Sequence, residues 1–205
     1  MTTISIIGTG NMATAIGARA VQHGHAVEII GRSRSKAEAA ADAIGHGATV
    51  GTYGERPSGG IVFVAVLYQH AVDVVAQFGD TLAGKILVDI TNPFNASGTG
   101  VVTTPGSSVA QQIAAIAPKD AEVIKAFNTI FRNVLAEAAP LDALFAGGSA
   151  GARARFAAFL QSIGIRPLDA GGPEETYVLE WAAILLMGLA RNGAGWNVAL
   201  SADLR

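Results

Sequence analysis

Short runs of β-branched and other apolar residues alternate with alanine-rich segments of helical length along the chain. TISII precedes 11–23, AVEII precedes 33–44 and IVFVAV precedes 69–78; KILVDI, AEVIKAF and LDALFAG follow, and a helix-length segment over 152–162 precedes IRPLDAG. The strand runs are apolar nearly throughout instead of alternating, as expected where helices cover both faces of a sheet. The pattern predicts successive βαβ units, hence an α/β fold with a doubly wound, mostly parallel sheet.

Two segments depart from this rhythm. Residues 91–108 carry Asn92-Pro93, Gly98, Gly100, Pro105 and Gly106 and read as a long loop after a strand. Loops of that length in compact domains are often functional. Residues 174–190 are apolar nearly all round, which one sheet surface cannot satisfy. They predict a small C-terminal helical addition, either at a homodimer interface or buried within the monomer. The expected organisation is one nucleotide-binding domain over 1–170 with a helical segment, 171–205, packed on it.

Composition narrows the function classes. Half of the 205 residues are hydrophobic, and 14 basic against 16 acidic side chains give a formal net charge of −2. That balance favours neither nucleic acid nor an anionic membrane. The chain contains no cysteine, which excludes disulfides, thiolate nucleophiles and zinc-thiolate sites. No signal-peptide pattern opens the chain, and Trp181–Ala190 falls well short of the roughly 20 apolar residues that span a bilayer. A soluble, cytoplasmic protein with a small-molecule partner and no metal is expected.

The stretch IIGTGNMA places Gly8-x-Gly10-x-x-Ala13 at the first strand-to-helix junction. Gly8 allows the tight turn, Gly10 removes a side chain where a pyrophosphate approaches the backbone, and Ala13 lets helix and strand pack closely. The amides opening the helix then receive the anion, as in Rossmann-like dinucleotide sites. After the second strand, GRSRSKAEA offers Arg32, Arg34 and Lys36 with no carboxylate before Glu38. An NAD site places an acid there; cations with Ser33 as donor suit a 2′-phosphate. NADP(H) is the expected cofactor.

Other matches read as structure. GGSAG, residues 147–151, fits a nucleophile elbow, but all four histidines precede Ser149, so Ser149 reads as a helix cap. GDTLAGK lacks the P-loop hydroxyl and precedes its strand, which makes it a turn. His23 and His25 flank a helix-ending Gly24. Asp89 and Asp169 end strands and read as loop caps.

The motifs GTGNMA, GRSRSKAEA, DITNPFN, VIKAFNT and IRPLDAG resemble the NADPH-dependent reductases of the deazaflavin coenzyme F-420. They are similar also to the cytosolic oxidoreductase domains of membrane ferric reductases. The resemblance implies that the backbone from Thr9 through Asn11 to Met12 holds the pyrophosphate and that Arg32 and Lys36 hold the 2′-phosphate. It implies that Val66 and Leu67 line the cofactor with His70 close by, that Asn92 and Pro93 lie near the nicotinamide ribose, and that Asn128-Thr129-Ile130 turns near the nicotinamide. Asn128-Thr129 is the form of the ferric reductase domains, whose acceptor is a flavin, where deazaflavin reductases can read His-Thr.

Hydride transfer between stacked rings is an orientation problem more than an acid–base one. Asn128 and Thr129 are the expected positioning residues, and Phe94, Ile130 and Trp196 the expected substrate contacts. Phe94 and Trp196 can equally serve as plain packing. The expected function is hydride transfer between NADPH and coenzyme F-420 or a flavin (FMN or FAD). The alternatives are a ferric reductase, a non-catalytic NADPH-binding redox sensor, and a pyrroline-5-carboxylate reductase, a family with a longer helical C-terminal region.

Overall fold

The strand runs assemble into one eight-stranded sheet of order β3-β2-β1-β4-β5-β6-β7-β8. The computed structural model describes residues 1–137 and 140–203. Its strands are β1 (Thr3–Ile7), β2 (Ala26–Ile30), β3 (Thr49–Gly51), β4 (Ile61–Val64), β5 (Ile86–Asp89), β6 (Glu122–Ala126), β7 (Leu141–Gly147) and β8 (Ile165–Asp169). Its α-helices are α1 (Asn11–Gln22), α2 (Arg34–Ile44), α3 (Tyr68–Phe78), α4 (Val109–Ile116), α5 (Arg132–Ala136), α6 (Ala150–Ser162) and α7 (Thr176–Leu189). The chain winds outward from β1 to β3, then returns to the other side of β1 with β4. That reversal opens a crevice beyond the carboxyl ends of β1 and β4.

The first six strands run parallel, β7 pairs antiparallel with β6, and β8 runs parallel to β7. The fold is thus the expected Rossmann-like, mostly parallel α/β sheet. Three elements lie outside the predicted pattern: β3 and α5, of three and five residues, are too short to show a period, and α4 follows directly on the long loop.

Strand residues feed two cores alternately. Ile4, Ile6, Ile29, Ile61 and Phe63 pack on one side with Ile16 and Phe156, whereas Ile7, Ile30, Val62 and Val64 pack on the other with Val75 and Phe78. Both faces being buried explains the unbroken apolar runs. Each fully buried isoleucine or phenylalanine contributes about 1.5–3 kcal/mol. On α1, a Cβ on Gly17 would lie 2.5 Å from Ile44 Cδ1, so this glycine, as well as the buried Ala13, sets how closely α1 approaches α2.

Helix α7 lies against β6, β7 and α4. Leu179, Glu180, Ala183 and Leu186 face inward, while Val178, Trp181, Leu185 and Leu189 remain exposed. Its all-round apolarity therefore divides into a buried side and an open side. Residues 91–108 carry only turns and one bridge, Phe94 to Val101. Arg191 Nη1 donates to Gly98 O at 3.0 Å, and Ser108 Oγ lies 2.7 Å from Thr176 Oγ1, so the loop is pinned to the C-terminal segment. Among the described residues, no helix is long and apolar enough to cross a membrane.

Candidate functional site

A cavity of about 810 Å³ occupies the crevice at the carboxyl ends of β1, β2, β4 and β5. Its floor is the β1–α1 turn, where two glycines have different causes. Gly8 has φ 137°, and a Cβ there would overlap the Ala65 carbonyl oxygen, so the protein's own packing demands glycine. Gly10 has an ordinary φ of −84°, and a Cβ would meet nothing within 4 Å. The space that Gly10 leaves is open to the crevice. Gly10 also brings no side-chain cap to α1, so the first-turn amides stay available to an anion. Thr9 and Met12 line the cavity, whereas the Asn11 side chain is exposed off its wall.

The end of β2 supplies the cationic wall. Arg32, Ser33 and Lys36 line the cavity, and among the described residues neither Arg32 nor Lys36 has an ion-pair partner. Arg34 does not join them: its Nε donates to Glu38 Oε1 at 2.9 Å on the exposed side of α2. Helix geometry causes the division, since positions 34 and 38 share one face. Ser33 Oγ caps α2 by accepting from Lys36 N at 3.5 Å and lies 3.1 Å from Ser35 Oγ.

Tyr53, which sequence reasoning missed, closes this end. It lines the cavity just beyond β3, donates its hydroxyl to Gln77 Oε1 at 2.7 Å and sets its ring edge-on to Phe78 at 5.1 Å. Burial raises its phenol pKa, and Arg32 pulls the other way, so the hydroxyl stays protonated near neutral pH. Only β3 could have signalled it, by bringing residue 53 alongside β2.

Across the crevice stand Val66, Leu67 and His70 at the start of α3, with Thr91, Asn92 and Phe94 after β5. Leu67 is 70% exposed, an apolar surface at the mouth. The turn after β5 is set by Asp89, whose Oδ1 accepts from Thr91 N at 2.8 Å. Pro93 is off the wall; its carbonyl accepts from Val102 N at 2.8 Å and closes the loop hairpin.

Asn128, Thr129 and Ile130 are not on the wall. They are buried, because the chain folds under β6 through Phe127, a buried aromatic at φ 60°. That left-handed backbone costs about 1–3 kcal/mol and persists only where packing enforces it, here from Phe63 and Phe156. Ile130 belongs to the core. Asn128 reaches the crevice indirectly, through Asn92: Asn92 Nδ2 donates to Asn128 O at 2.7 Å, and Asn128 Nδ2 donates to Asn92 Oδ1 at 3.1 Å and to Leu179 O at 2.7 Å. Trp196 is also away from the wall, exposed and edge-on to Phe131 at 5.5 Å.

The remaining motifs are structural. Ser149 accepts from Ala152 N at 3.2 Å as the cap of α6. His23 Nδ1 lies 2.9 Å from Arg19 O. His25 Nδ1 accepts from Thr2 N at 3.2 Å, and its Nε2 lies 3.0 Å from Ser162 Oγ. Asp169 pairs with Arg153 and accepts from Gly171 N. Asp89 pairs with Lys125, a partner that sequence reasoning did not identify.

Residues 3–93 match the family of coenzyme F420-dependent NADP oxidoreductases. The chain is 30% identical over 174 residues to metalloreductase STEAP3 of Rattus norvegicus, covering 82% of this chain and 33% of that protein. It is 28% identical over 139 residues to the F420-dependent NADP reductase of Methanocaldococcus jannaschii, covering 64% and 62%. The matches thus span one third and under two thirds of these curated relatives. Among solved structures, a protein of unassigned function from Sinorhizobium meliloti superposes with a TM-score of 0.76 at 26% identity over 84% of this chain and 86% of that one. A protein from Arthrobacter sp. FB24, provisionally assigned as an F420-dependent NADP reductase, gives 0.87 at 21% identity over 100% of both chains, a likeness of fold.

Proposed function

We propose, for a chain whose residues 3–93 match the coenzyme F420-dependent NADP oxidoreductases, that it binds NADP(H) in the crevice and exchanges a hydride with a flavin or deazaflavin. The observation that carries the reading is the pairing of the open space at Gly10, beneath uncapped α1 amides, with Arg32 and Lys36 on the same cavity. The glycine turn fits a pyrophosphate, and the two cations, with no acid facing them, fit a 2′-phosphate.

The adenosine half lies by Tyr53 and Arg32 in this reading, and the nicotinamide half by Asn92 and Phe94. Bound NADPH supplies the hydride. The chain's own part is to hold and orient: backbone amides take the pyrophosphate, Asn92 fixes the far end, and the apolar surfaces of Leu67 and Phe94 keep water from a planar acceptor. The acceptor takes the hydride at its ring and one proton from solvent, so no side chain on the wall need donate it.

The exposed stripe Val178, Trp181, Leu185 and Leu189 carries no charge, and we assign it to a second copy of the chain. One uncharged stripe meeting itself is the geometry of a two-fold interface.

The test is a titration with NADPH and NADH, followed by turnover with coenzyme F-420, FMN, FAD and ferric chelates in parallel. NADPH should bind at least about 100-fold more tightly than NADH, and one ring acceptor should be reduced. Equal affinities would remove the cofactor assignment. Tight binding without turnover of any acceptor would favour a redox sensor.

A further inference from the structure

Three charged side chains off the crevice wall are buried together. Lys125 Nζ donates to Asp89 Oδ2 at 2.8 Å and to Glu180 Oε1 at 2.9 Å, and each of the three side chains is 0% exposed. Asp89 and Lys125 are register partners across β5 and β6, while Glu180 comes from α7. Glu180 Oε1 also accepts from Val109 N at 2.9 Å, and its Oε2 accepts from Thr103 Oγ1 at 3.3 Å. Desolvating three charges offsets much of their mutual attraction, so stability alone is a weak account of the cluster. Its geometry suggests another role.

The segments that carry these charges also carry the Asn92–Asn128 pair. Asn92 follows Asp89 by three residues, Asn128 follows Lys125 by three, and the carbonyl that receives Asn128 Nδ2 belongs to Leu179, the neighbour of Glu180. The end of β5, the end of β6 and α7 are therefore clamped twice, once by charge and once by amides. Phe127, with φ 60°, sits between the two clamps on the β6 side. A shift of α7 would loosen both.

We propose that Lys125 and Glu180 are positioning residues that, with Asp89, fix α7 against β5 and β6 and so set Asn92 at the nicotinamide end of the crevice. The proposal rests on the NADP(H) reading of that crevice. Neither Lys125 nor Glu180 lines the cavity. Helix α7 thus belongs functionally to the cofactor site without touching it.

The test compares NADPH with 2′,5′-ADP, which carries only the adenosine half and its extra phosphate. Both are titrated into wild type, Glu180→Gln and Lys125→Met, and the emission of the bound reduced nicotinamide is recorded. Glu180→Gln keeps the side-chain length and an acceptor oxygen while removing the charge. The affinity for 2′,5′-ADP should stay within about twofold, while that for NADPH falls about tenfold and the nicotinamide emission moves toward that of the free cofactor. In an Asn92→Ala background, Glu180→Gln should weaken NADPH by no more than about twofold further, because the two act in series.

An unchanged ratio of NADPH to 2′,5′-ADP affinity in Glu180→Gln would overturn the proposal. So would an equal loss with and without Asn92. If Lys125→Met does not fold, Glu180→Gln decides alone. Failure of 2′,5′-ADP to bind wild type would instead overturn the cofactor reading itself.

Discussion

Asn92 and Asn128 hold each other by two hydrogen bonds, side chain to backbone at 2.7 Å and side chain to side chain at 3.1 Å, and only Asn92 of the pair lines the crevice. Asn128→Ala would leave Asn92 Oδ1 without its donor and strip the buried Leu179 carbonyl of the hydrogen bond it accepts beyond its helical one. A loss of about 2 kcal/mol of stability in urea unfolding is expected, with roughly tenfold slower hydride transfer in single turnovers. Unchanged turnover would sever Asn128 from the reaction.

The two glycines of the first turn should separate folding from binding. Gly10→Ala places its methyl in open space at an allowed backbone angle. It should alter stability by less than about 1 kcal/mol yet weaken NADPH by about tenfold or more. Gly8→Ala forces a methyl onto the Ala65 carbonyl at φ 137° and should destabilise by about 3 kcal/mol or more. Thermal melts with and without NADPH read both effects.

Arg32 and Arg34 are two residues apart and should behave differently. Arg32→Ala and Lys36→Ala should each weaken NADPH about tenfold and leave NADH unchanged, because only the 2′-phosphate uses them. Arg34→Ala removes an exposed i,i+4 pair and should change affinity by less than about twofold. An equal effect from Arg34→Ala would place the phosphate elsewhere.

Asp142 gives stability a pH dependence remote from the crevice. The hydrogen-bonded Arg166 is the main cause that lowers its carboxyl from the ordinary 3.8 to about 2, with Ser201 and the Ala202 amide assisting. A depressed folded-state pKa stabilises above about pH 4, and the contribution is lost as pH falls through about 2. Half-exposed Arg166 is screened by solvent, so Asp142→Asn should cost on the order of 1 kcal/mol at pH 7 and clearly less at pH 2, where the folded-state carboxyl is about half protonated. Urea melts at the two pH values test this.

The fold, its first glycine turn and the cations that follow the second strand were legible in the sequence because their causes are local. Buried strands declare themselves by unbroken apolar runs, and the glycine turn at 8–10 and the cations at 32–36 are each contained within a few consecutive residues. Across the crevice Asn92 and Phe94, both singled out in the sequence, line the wall, whereas the burial of Asn128 and Ile130 behind them was not legible, because it depends on segments far apart in sequence. Lys125 inside the run EVIKAF and Glu180 inside an apolar helix were the available signals: a lone charge in a buried run must find an opposite charge.

The order of residues by itself determined a doubly wound sheet, a glycine turn at its first strand-to-helix junction and a run of cations after the second strand. Only the tertiary structure decided which cations line the crevice, that Tyr53 closes it, and that Asn128 is buried behind Asn92. The physical reason is range: backbone turns and helix starts follow from neighbouring residues, whereas a side chain's partner across the sheet depends on register and on where α7 comes to rest.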